Sequence, residues 1–351
     1  MSLRDALLRR FQALERMPPG TFVVGGAVRD MLRRVDPADV DLACADPLAC
    51  ARLLSDRVIR LGAGEHLSAW RVVDGEHVYD FAAILDGDID ADLARRDFTI
   101  NAMAVDLRSG QLLDPYGGQR DLRARVVRMV GAANFDDDPL RMLKAVRMAA
   151  ALRFSVEDAT LEAIRERADS IVNVAAERIS YELSVIFSAG AFRTAVDHLH
   201  RTRLDVVLFG RTLDPSSYDA DDVSLAGAFA ILVRDPKSFA KRWKWSESLL
   251  RQVTAMQALI DHHDPIALYD AGEEIARQLP AVLRALGREP LAVSDDLFHI
   301  RALLTGGEIT ALTGVPSGPE LGRRKRALLE SQIRGEVRTR AQAEKFVRAL
   351  S

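Results

Sequence analysis

Asp39-Val40-Asp41 is the stretch of this chain whose residue types and spacing most directly imply chemistry. In a strand, side chains at i and i+2 project from one face, so both carboxylates occupy the same space. Carboxylates that close repel each other, and a divalent cation resolves the repulsion. Hard oxygen ligands suit magnesium (Mg2+), which keeps water and takes phosphate oxygens as its remaining ligands. Two such ions can clamp the attacking and leaving oxygens of an in-line phosphoryl or nucleotidyl displacement. Asp-x-Asp alone is also common in turns and helix caps, so the pair needs a second element. About a dozen residues upstream a strand, Thr21-Phe22-Val23-Val24, ends at Gly25-Gly26, and a helix follows from Ala27 to Arg34 with Arg29 on its first turn. Glycines let the backbone approach a triphosphate, amides at a helix start donate to its oxygens, and arginine adds charge. Together the two elements read as a phosphate cradle beside a cation site. Asp80, in Tyr79-Asp80-Phe81, lies at the end of a strand that could neighbour Asp39 and Asp41. There it would be a third carboxylate, to bind metal or take a proton from an attacking hydroxyl. The alternative is an exposed strand-end aspartate.

The elements that must position these residues divide the chain in two. Residues 1 to about 130 alternate short strand-like and helical stretches, and the rest is one amphipathic helix after another. Val40 and Leu42 alternate with the aspartates, Ser68 to Val73 and His77 to Phe81 form a hairpin around Asp74-Gly75, and Ala102 to Leu107 is a further strand. That predicts four to five strands. Asp138-Pro139 predicts an N-cap with proline at the first helical position, followed by an apolar face of Leu140, Leu143, Val146 and Ala150. Helices are also expected over Asp158 to Ala168, Ala175 to Phe187 and Phe192 to Leu199. Pro215, two serines and four aspartates between 211 and 222 predict an exposed connection. The fold class is therefore α+β, an N-terminal head with a small mixed β-sheet followed by an all-α remainder.

A chain of 351 residues with 48% hydrophobic and 28% charged side chains has the composition of a folded protein of two or more packed units. Two cysteines, Cys44 and Cys50, exclude a disulfide scaffold and a Cys-rich zinc site. No apolar run approaches about 18 residues and the first residues lack a signal-peptide core, so a soluble, cytoplasmic protein with no membrane partner is expected. The net charge of −3 leaves any nucleic-acid surface to segregated charge. The clearest such patch is Leu321 to Ser351, with nine Arg or Lys against three Glu. Its ordinary reading is a solvated helix face. His262-His263-Asp264 lacks the further His and Asp of a metal-dependent phosphohydrolase and reads as a surface loop.

Five stretches carry a family resemblance. They are Gly25 to Asp30 (GGAVRD), Asp39 to Asp41 (DVD), Arg95 to Ala104 (RRDFTINAMA), Asp137 to Arg147 (DDPLRMLKAVR), and Glu177-Arg178-Ile179 with Glu182-Leu183. In that order they resemble the DNA polymerase β-like nucleotidyltransferase superfamily, and within it the bacterial class II tRNA nucleotidyltransferases and related poly(A) polymerases. The likeness is strong over residues 20 to 190 and extends weakly to the end through Gly306-Gly307-Glu308 and Gly318 to Gly322. It implies that Asp39 and Asp41 hold Mg2+, that Gly25, Gly26, Arg29 and Arg96 meet the incoming nucleotide, and that Asp97 and Asn101 shape the same pocket. It further implies a catalytic head at 1–130, a base-recognising neck at 131–190, a body at 191–265 and a tRNA-binding tail at 266–351. In the tail, Arg323, Arg324, Lys325, Arg326, Arg334, Arg338 and Arg340 are the candidate contacts to the acceptor stem, made by shape and phosphate rather than by sequence. The expected partners are tRNA, CTP and with it ATP, and no DNA.

Asp138 and Arg141 stand three apart, on neighbouring positions of one helix face. An aspartate accepts from the exocyclic amino group that cytosine and adenine share, and an arginine donates to the adjacent ring nitrogen or carbonyl. Guanine and uracil would put an acceptor against the carboxylate, which costs about 1 to 3 kcal/mol. The protein itself could thus act as template. Two positions depart from the family pattern: Asp137 stands where Glu is usual and Lys144 where Arg is usual. Lysine is a point charge, so at 144 a phosphate contact survives more easily than bidentate base reading. The resemblance puts Arg147 on the same nucleotide-facing helix. Many CCA-adding members carry a longer flexible loop between the Asp80 strand and the Arg-Arg-Asp motif, and here only the thirteen residues Ala82 to Ala94 intervene. The expectation is therefore a template-independent tRNA nucleotidyltransferase adding C, and also A, leaning towards CC addition. The alternative is a poly(A) polymerase or A-adding enzyme on RNA 3′ ends. A superfamily member modifying a small molecule or a protein side chain, or a non-catalytic RNA-binding module, fits the base-reading motif and the intact Asp pair less well.

Overall fold

The structure is a computed structural model that describes residues 2–61 and 69–350. The chain divides into two compact units, one of Met1–Ala189 with Thr194–Leu213 and one of Gly190–Arg193 with Asp214–Ser351.

The first unit is built on a mixed seven-stranded sheet. In chain order its strands are β1 (Phe22–Val24), β2 (Asp39–Cys44), β3 (Ile59–Leu61), β4 (Ala69–Asp74), β5 (His77–Ala83), β6 (Ala104–Asp106) and β7 (Leu112–Leu113). In space they run β3-β4-β5-β2-β1-β6-β7. All neighbours are antiparallel except β2 and β5, which are parallel. The five strands with alternating or apolar patterns are where the sequence puts them. The two extra strands, β3 and β7, are edge pieces of three and two residues, too short to show a period of two. The hairpin turns at Asp74-Gly75, where Asp74 faces His77 and Gly75 takes φ +60°. Ser68, expected at the start of β4, lies outside the described residues. Ala102 belongs to a turn rather than to β6, because its N–H bonds Thr99 O at 3.0 Å.

Helices α1 (Leu3–Arg10), α2 (Gly26–Leu32) and α3 (Pro47–Arg52) flank this sheet. Leu7, Phe11, Val28, Cys50 and Ala51 join Val23, Val40, Leu42, Tyr79 and Phe81 in one buried cluster. Since Val40 and Leu42 are committed to that face, the strand period sends Asp39 and Asp41 to the other. The opposite face carries only a small apolar group, Val24, Ala43, Leu93 and Ala104. The space left there is available for chemistry. Five further helices complete this part: α4 (Ile89–Ala94), α5 (Gly118–Ala124), α6 (Ala133–Asp137), α7 (Leu140–Leu152) and α8 (Asp158–Arg167). A two-stranded parallel ribbon of β8 (Val126–Val127) and β9 (Ser155–Val156) ties the segments together, and α9 (Ala176–Ser188) packs on α7. The expected helix boundaries hold to within one or two residues.

The remaining helices are α10 (Phe192–Arg201), α11 (Leu204–Phe209), α12 (Leu225–Leu232), α13 (Pro236–Trp243), α14 (Glu247–Asp261), α15 (Pro265–Ala271), α16 (Glu273–Ala276), α17 (Leu279–Ala285), α18 (Gly306–Thr313), α19 (Pro319–Ile333) and α20 (Arg340–Ala349). In the second unit α18, α19 and α20 share a core of Leu304, Ile309, Leu328, Val337, Ala343 and Val347. The 211–222 connection contains the boundary between units, with Asp214 capping a short turn at Pro215–Ser217. It is not exposed throughout, because Leu213 and Tyr218 are buried. Asp264, expected in a surface loop, caps α15 by accepting from the N–H groups of Ile266 and Ala267. Among the described residues no helix is long and apolar enough to cross a membrane.

Gly118, the first residue of α5, sits against the turn that carries Asn101. A methyl group there would press on Thr99 O and come within 2.9 Å of the Met103 side chain. Gly118→Ala is expected to lower stability by about 1–3 kcal/mol. Urea unfolding at equilibrium measures it, and an unchanged midpoint would show that the turn yields freely.

Candidate active site

β2 and β5 run parallel in a register that sets Asp41 beside Asp80, and β4 continues the row with Arg71 beside Asp80. Asp80 therefore lies in the middle of its strand rather than at its end. It is a neighbour of Asp41, but its carboxylate is already engaged: Arg71 Nε and Nη2 donate to it at 2.7 and 2.6 Å. Burial, with the charges of Asp39 and Asp80 adding to it, pushes the Asp41 carboxyl up to about 6 from an ordinary 3.8, against the opposing pull of Arg96 and Arg71. A carboxyl whose ionisation is disfavoured by burial and by two neighbouring carboxylates fits a divalent metal held with Asp39.

Gly25 closes β1 at φ +74°, with its N–H bonded to Met103 O. A side chain there would meet Arg96 Nη1 at 2.9 Å and Asp41 Oδ2 at 3.2 Å. Glycine thus allows the loop, the guanidinium and the carboxylate to converge. Gly26 opens α2, and Arg29 one turn later is nearly buried. Its Nη1 donates to Asn101 Oδ1 at 2.8 Å, while Nε and Nη2 grip Asp30. Asn101 Nδ2 in turn donates to Asp97 Oδ1, which also accepts from the Phe98 N–H. Arg29, Asn101 and Asp97 are one bonded chain.

Arg95 and Arg96 share a single acid. Asp92, only 2% exposed, accepts from Arg95 through one oxygen at 2.6 Å and from Arg96 through the other at 3.2 Å. Asn134 Nδ2 fixes the same segment by donating to Ala94 O and Arg96 O. Arg141 Nη1 donates back to Asn134 O at 2.9 Å. Asp138 and Arg141 both face the cleft; the Arg141 N–H donates to Asp138 O at 3.0 Å, but their side chains do not bond each other. Asp138 instead accepts from Arg178 Nη2 at 3.0 Å and from the Leu140 N–H at 3.3 Å. The N-cap expectation is corrected: α7 starts at Leu140 with Pro139, which has no side-chain acceptor to cap it, in the N-cap position, and Asp138 stands one residue further out. Arg147 Nε donates to the buried Glu182 at 2.8 Å.

These side chains enclose one cleft of about 420 Å³, within the range of small-molecule sites. Gly25, Gly26, Arg29, Arg96, Asp97, Asn101, Asp138, Arg141, Lys144, Arg147, Asp39 and Asp41 all line it, and Asp80 does not. Arg95, Met148 and Asp92 also line the cleft outside the candidates read from the sequence, and Asn134, Arg71 and Arg178 support it from behind. Asp92 had a signal, since it stands three and four residues before two arginines on a helix. Asn134, Arg71 and Arg178 come from elements that only the fold brings near.

The basic tail residues sit in the second unit, and most are paired. Glu320 takes Arg323 and Arg324, Asp270 and Glu330 take Arg326, and Glu308 and Glu344 take Arg340. Arg338 donates to Gly335 O. Among the described residues Lys325, Arg334 and Arg338 carry no ion pair. The surface is less bare than the local charge count of the segment, because its partners Asp270, Glu308 and Glu320 lie outside it.

Comparison with known proteins adds to this geometry. Residues 21–85 and 82–128 match the poly A polymerase head domain, and residues 153–213 match the probable RNA and SrmB-binding site of polymerase A. The A-adding tRNA nucleotidyltransferase of Deinococcus radiodurans is 32% identical over 97% of this chain and 98% of its own. The CC-adding tRNA nucleotidyltransferase of Geobacter sulfurreducens is 31% identical over 93% and 91%. The crystal structure of the Bacillus stearothermophilus CCA-adding enzyme in complex with CTP has a TM-score of 0.78 at 25% identity, covering 98% of this chain and 97% of that one.

Since a cation at Asp41 must displace a proton below about pH 6, manganese affinity is expected to fall about tenfold per unit from pH 6 to 5 and to level off above 7. Asp80→Asn removes a like charge and moves that midpoint down. Between about pH 4 and 6 the folded, cation-free protein holds a proton that the unfolded chain has lost, so on this account stability declines as pH rises through that window. Asp41→Asn is expected to raise the cation-free melting temperature at pH 8. Titration calorimetry and thermal melts check both, and a pH-independent affinity would contradict the assignment.

Proposed function

The chain belongs to the family of tRNA nucleotidyltransferases and poly(A) polymerases, and from that membership we propose that it adds cytidylate to the 3′ end of tRNA without a nucleic-acid template and stops after two. The observation that carries the reading is the convergence, on one cleft, of an acidic pair, two arginines held in place by Asn101 and Asp92, and a base-facing Asp and Arg.

In this reading Arg29 and Arg96 receive the triphosphate. Both are prealigned, Arg29 by Asn101 and Asp30 and Arg96 by Asp92, so little order has to be created on binding. Asp39 and Asp41 would hold Mg2+, which supplies charge stabilisation at the phosphoryl oxygens and at the attacking hydroxyl when bound. The RNA 3′-hydroxyl attacks the α-phosphate of CTP, and pyrophosphate leaves. Asp138, oriented by Arg178, takes the exocyclic amino group of cytosine, and Arg141 donates to the neighbouring ring acceptor. Uridine, with a carbonyl in place of the amino group, is refused. The reaction takes place in the cytoplasm, with tRNA bound partly through the second unit.

The limit of two cytidylates rests on the segment after β5. It is a short turn at Leu85–Gly87 followed by α4, whose Asp92 is locked to Arg95 and Arg96. A segment so short and so anchored leaves little chain to remodel the pocket for ATP. A-adding activity is the second reading, favoured by the likeness to the Deinococcus enzyme.

The test is single-nucleotide gel analysis with tRNA ending at the base before CCA, given magnesium with CTP, ATP or both. Arrest after two cytidines with ATP present is expected. One adenosine added after the cytidines would make it a CCA-adding enzyme, one adenosine on a CC-ended tRNA alone an A-adding enzyme, and a ladder from ATP a poly(A) polymerase. Asp41→Ala is expected to lower transfer by about a thousandfold or more while tRNA binding is kept. Asp138→Ala is expected to relax CTP-over-UTP discrimination by about tenfold or more, read as the ratio of kcat/KM for the two nucleotides.

A further inference from the structure

Beside the cleft, α7 and α9 border a second hollow of about 390 Å³, lined by Leu140, Lys144, Glu177, Arg178, Tyr181 and Glu182. The two spaces are continuous in their walls. Lys144 lines both, Arg178 reaches from the hollow to the Asp138 carboxylate, and Glu182 binds Arg147 of the cleft. Tyr181 is 68% exposed, more than any other large apolar side chain among the described residues. Among them it also has no aromatic or cation–π neighbour. An exposed ring on an ordered helix contributes nothing to the core, so its flat face is free to bind something else.

The charges around the ring narrow the occupant. Glu182 is buried and spent on Arg147. Lys144 has no ion pair among the described residues, and Arg178 is half exposed. Glu177 stands at the exposed rim. A flat apolar surface flanked by two cations, against the wall of a nucleotide cleft, matches a base with its phosphate.

We propose that this hollow seats the 3′-terminal nucleoside of the RNA acceptor, its base stacked on Tyr181 and its 5′ phosphate against Lys144 and Arg178. The inference rests on the RNA-extending reading of the cleft. Stacking suits this task because the terminal base changes after each addition, and every base offers a π-face, whereas hydrogen-bond readout would have to be rebuilt. Arg178 gives the seat a link to base choice, since the phosphate competes with Asp138 for the same guanidinium.

The experiment uses an acceptor-stem RNA carrying 2-aminopurine as its 3′-terminal base, with the full-length protein. Binding is expected to quench the probe, and Tyr181→Ala to abolish the quench and weaken RNA binding about tenfold. Tyr181→Phe and Tyr181→Trp are expected to restore both. CTP affinity without RNA should be unchanged in all three, which also shows that they are folded. Extension of unlabelled RNA by the wild type is measured alongside. If the wild type extends RNA but Tyr181→Ala leaves quench and KM for RNA unaltered, the seat is wrong and the activity stands. If the probe is quenched through Tyr181 and no nucleotide is incorporated, the seat stands and the activity is wrong. Displacement of the probe by CTP alone would overturn the seat, making the hollow a second free-nucleotide site.

Discussion

Carboxylates at i and i+2 of a central strand, with a third on the next strand in register, are an electrostatic load that the rest of the first unit is arranged around. The load follows from the hydrophobic effect. Val40 and Leu42 must face the larger core, so Asp39 and Asp41 cannot, and the parallel pairing with β5 then brings Asp80 alongside. The sheet disposes of one charge internally by setting Arg71 across Asp80. It leaves Asp41 without a full counterion, with its carboxyl raised to about 6. The fold thus holds one pair of acids in a state that a cation would relieve, and removes the third from competition.

The opposite wall solves the converse problem. Arginines crowded into a cleft repel one another and would scatter into solvent. Here each is tethered: Arg29 through Asp30 and Asn101, Arg95 and Arg96 through Asp92, Arg141 through Asn134 O, Arg147 through Glu182. Two buried acids, Asp92 and Glu182, together with Asp30, Asn101 and the Asn134 carbonyl, form the framework on which the cations are displayed. This is electrostatic preorganisation built from ordinary ion pairs.

Much of this was legible before any coordinates. The Asp pair, the Gly-Gly turn and the base-facing helix are local patterns, with periods and caps that a few residues suffice to reveal. All twelve of the cleft-lining candidates named from the sequence do meet in one place. What escaped was everything that depends on long-range closure. β3 and β7 are too short to declare themselves, and Asp80 reads as a strand end because nothing local says that its strand continues to Ala83. Arg178 reaches Asp138 across forty residues of chain, and Arg71 finds Asp80 only through a hairpin. The tail shows the same limit, since a count of charges along one segment cannot see the acids of α15 and α18 that pair with Arg326 and Arg340.

Asp92 joins two arginines to one buried carboxylate, and this has a consequence for how such a sequence can drift. Neither arginine can be replaced by a neutral residue without leaving part of a buried charge uncompensated, and the acid cannot be lost without freeing both bases at once. The three positions form a single unit of inheritance. Across lineages they should change together or not at all, and an isolated substitution at any one of them would place the chain in a fitness valley rather than on a slope.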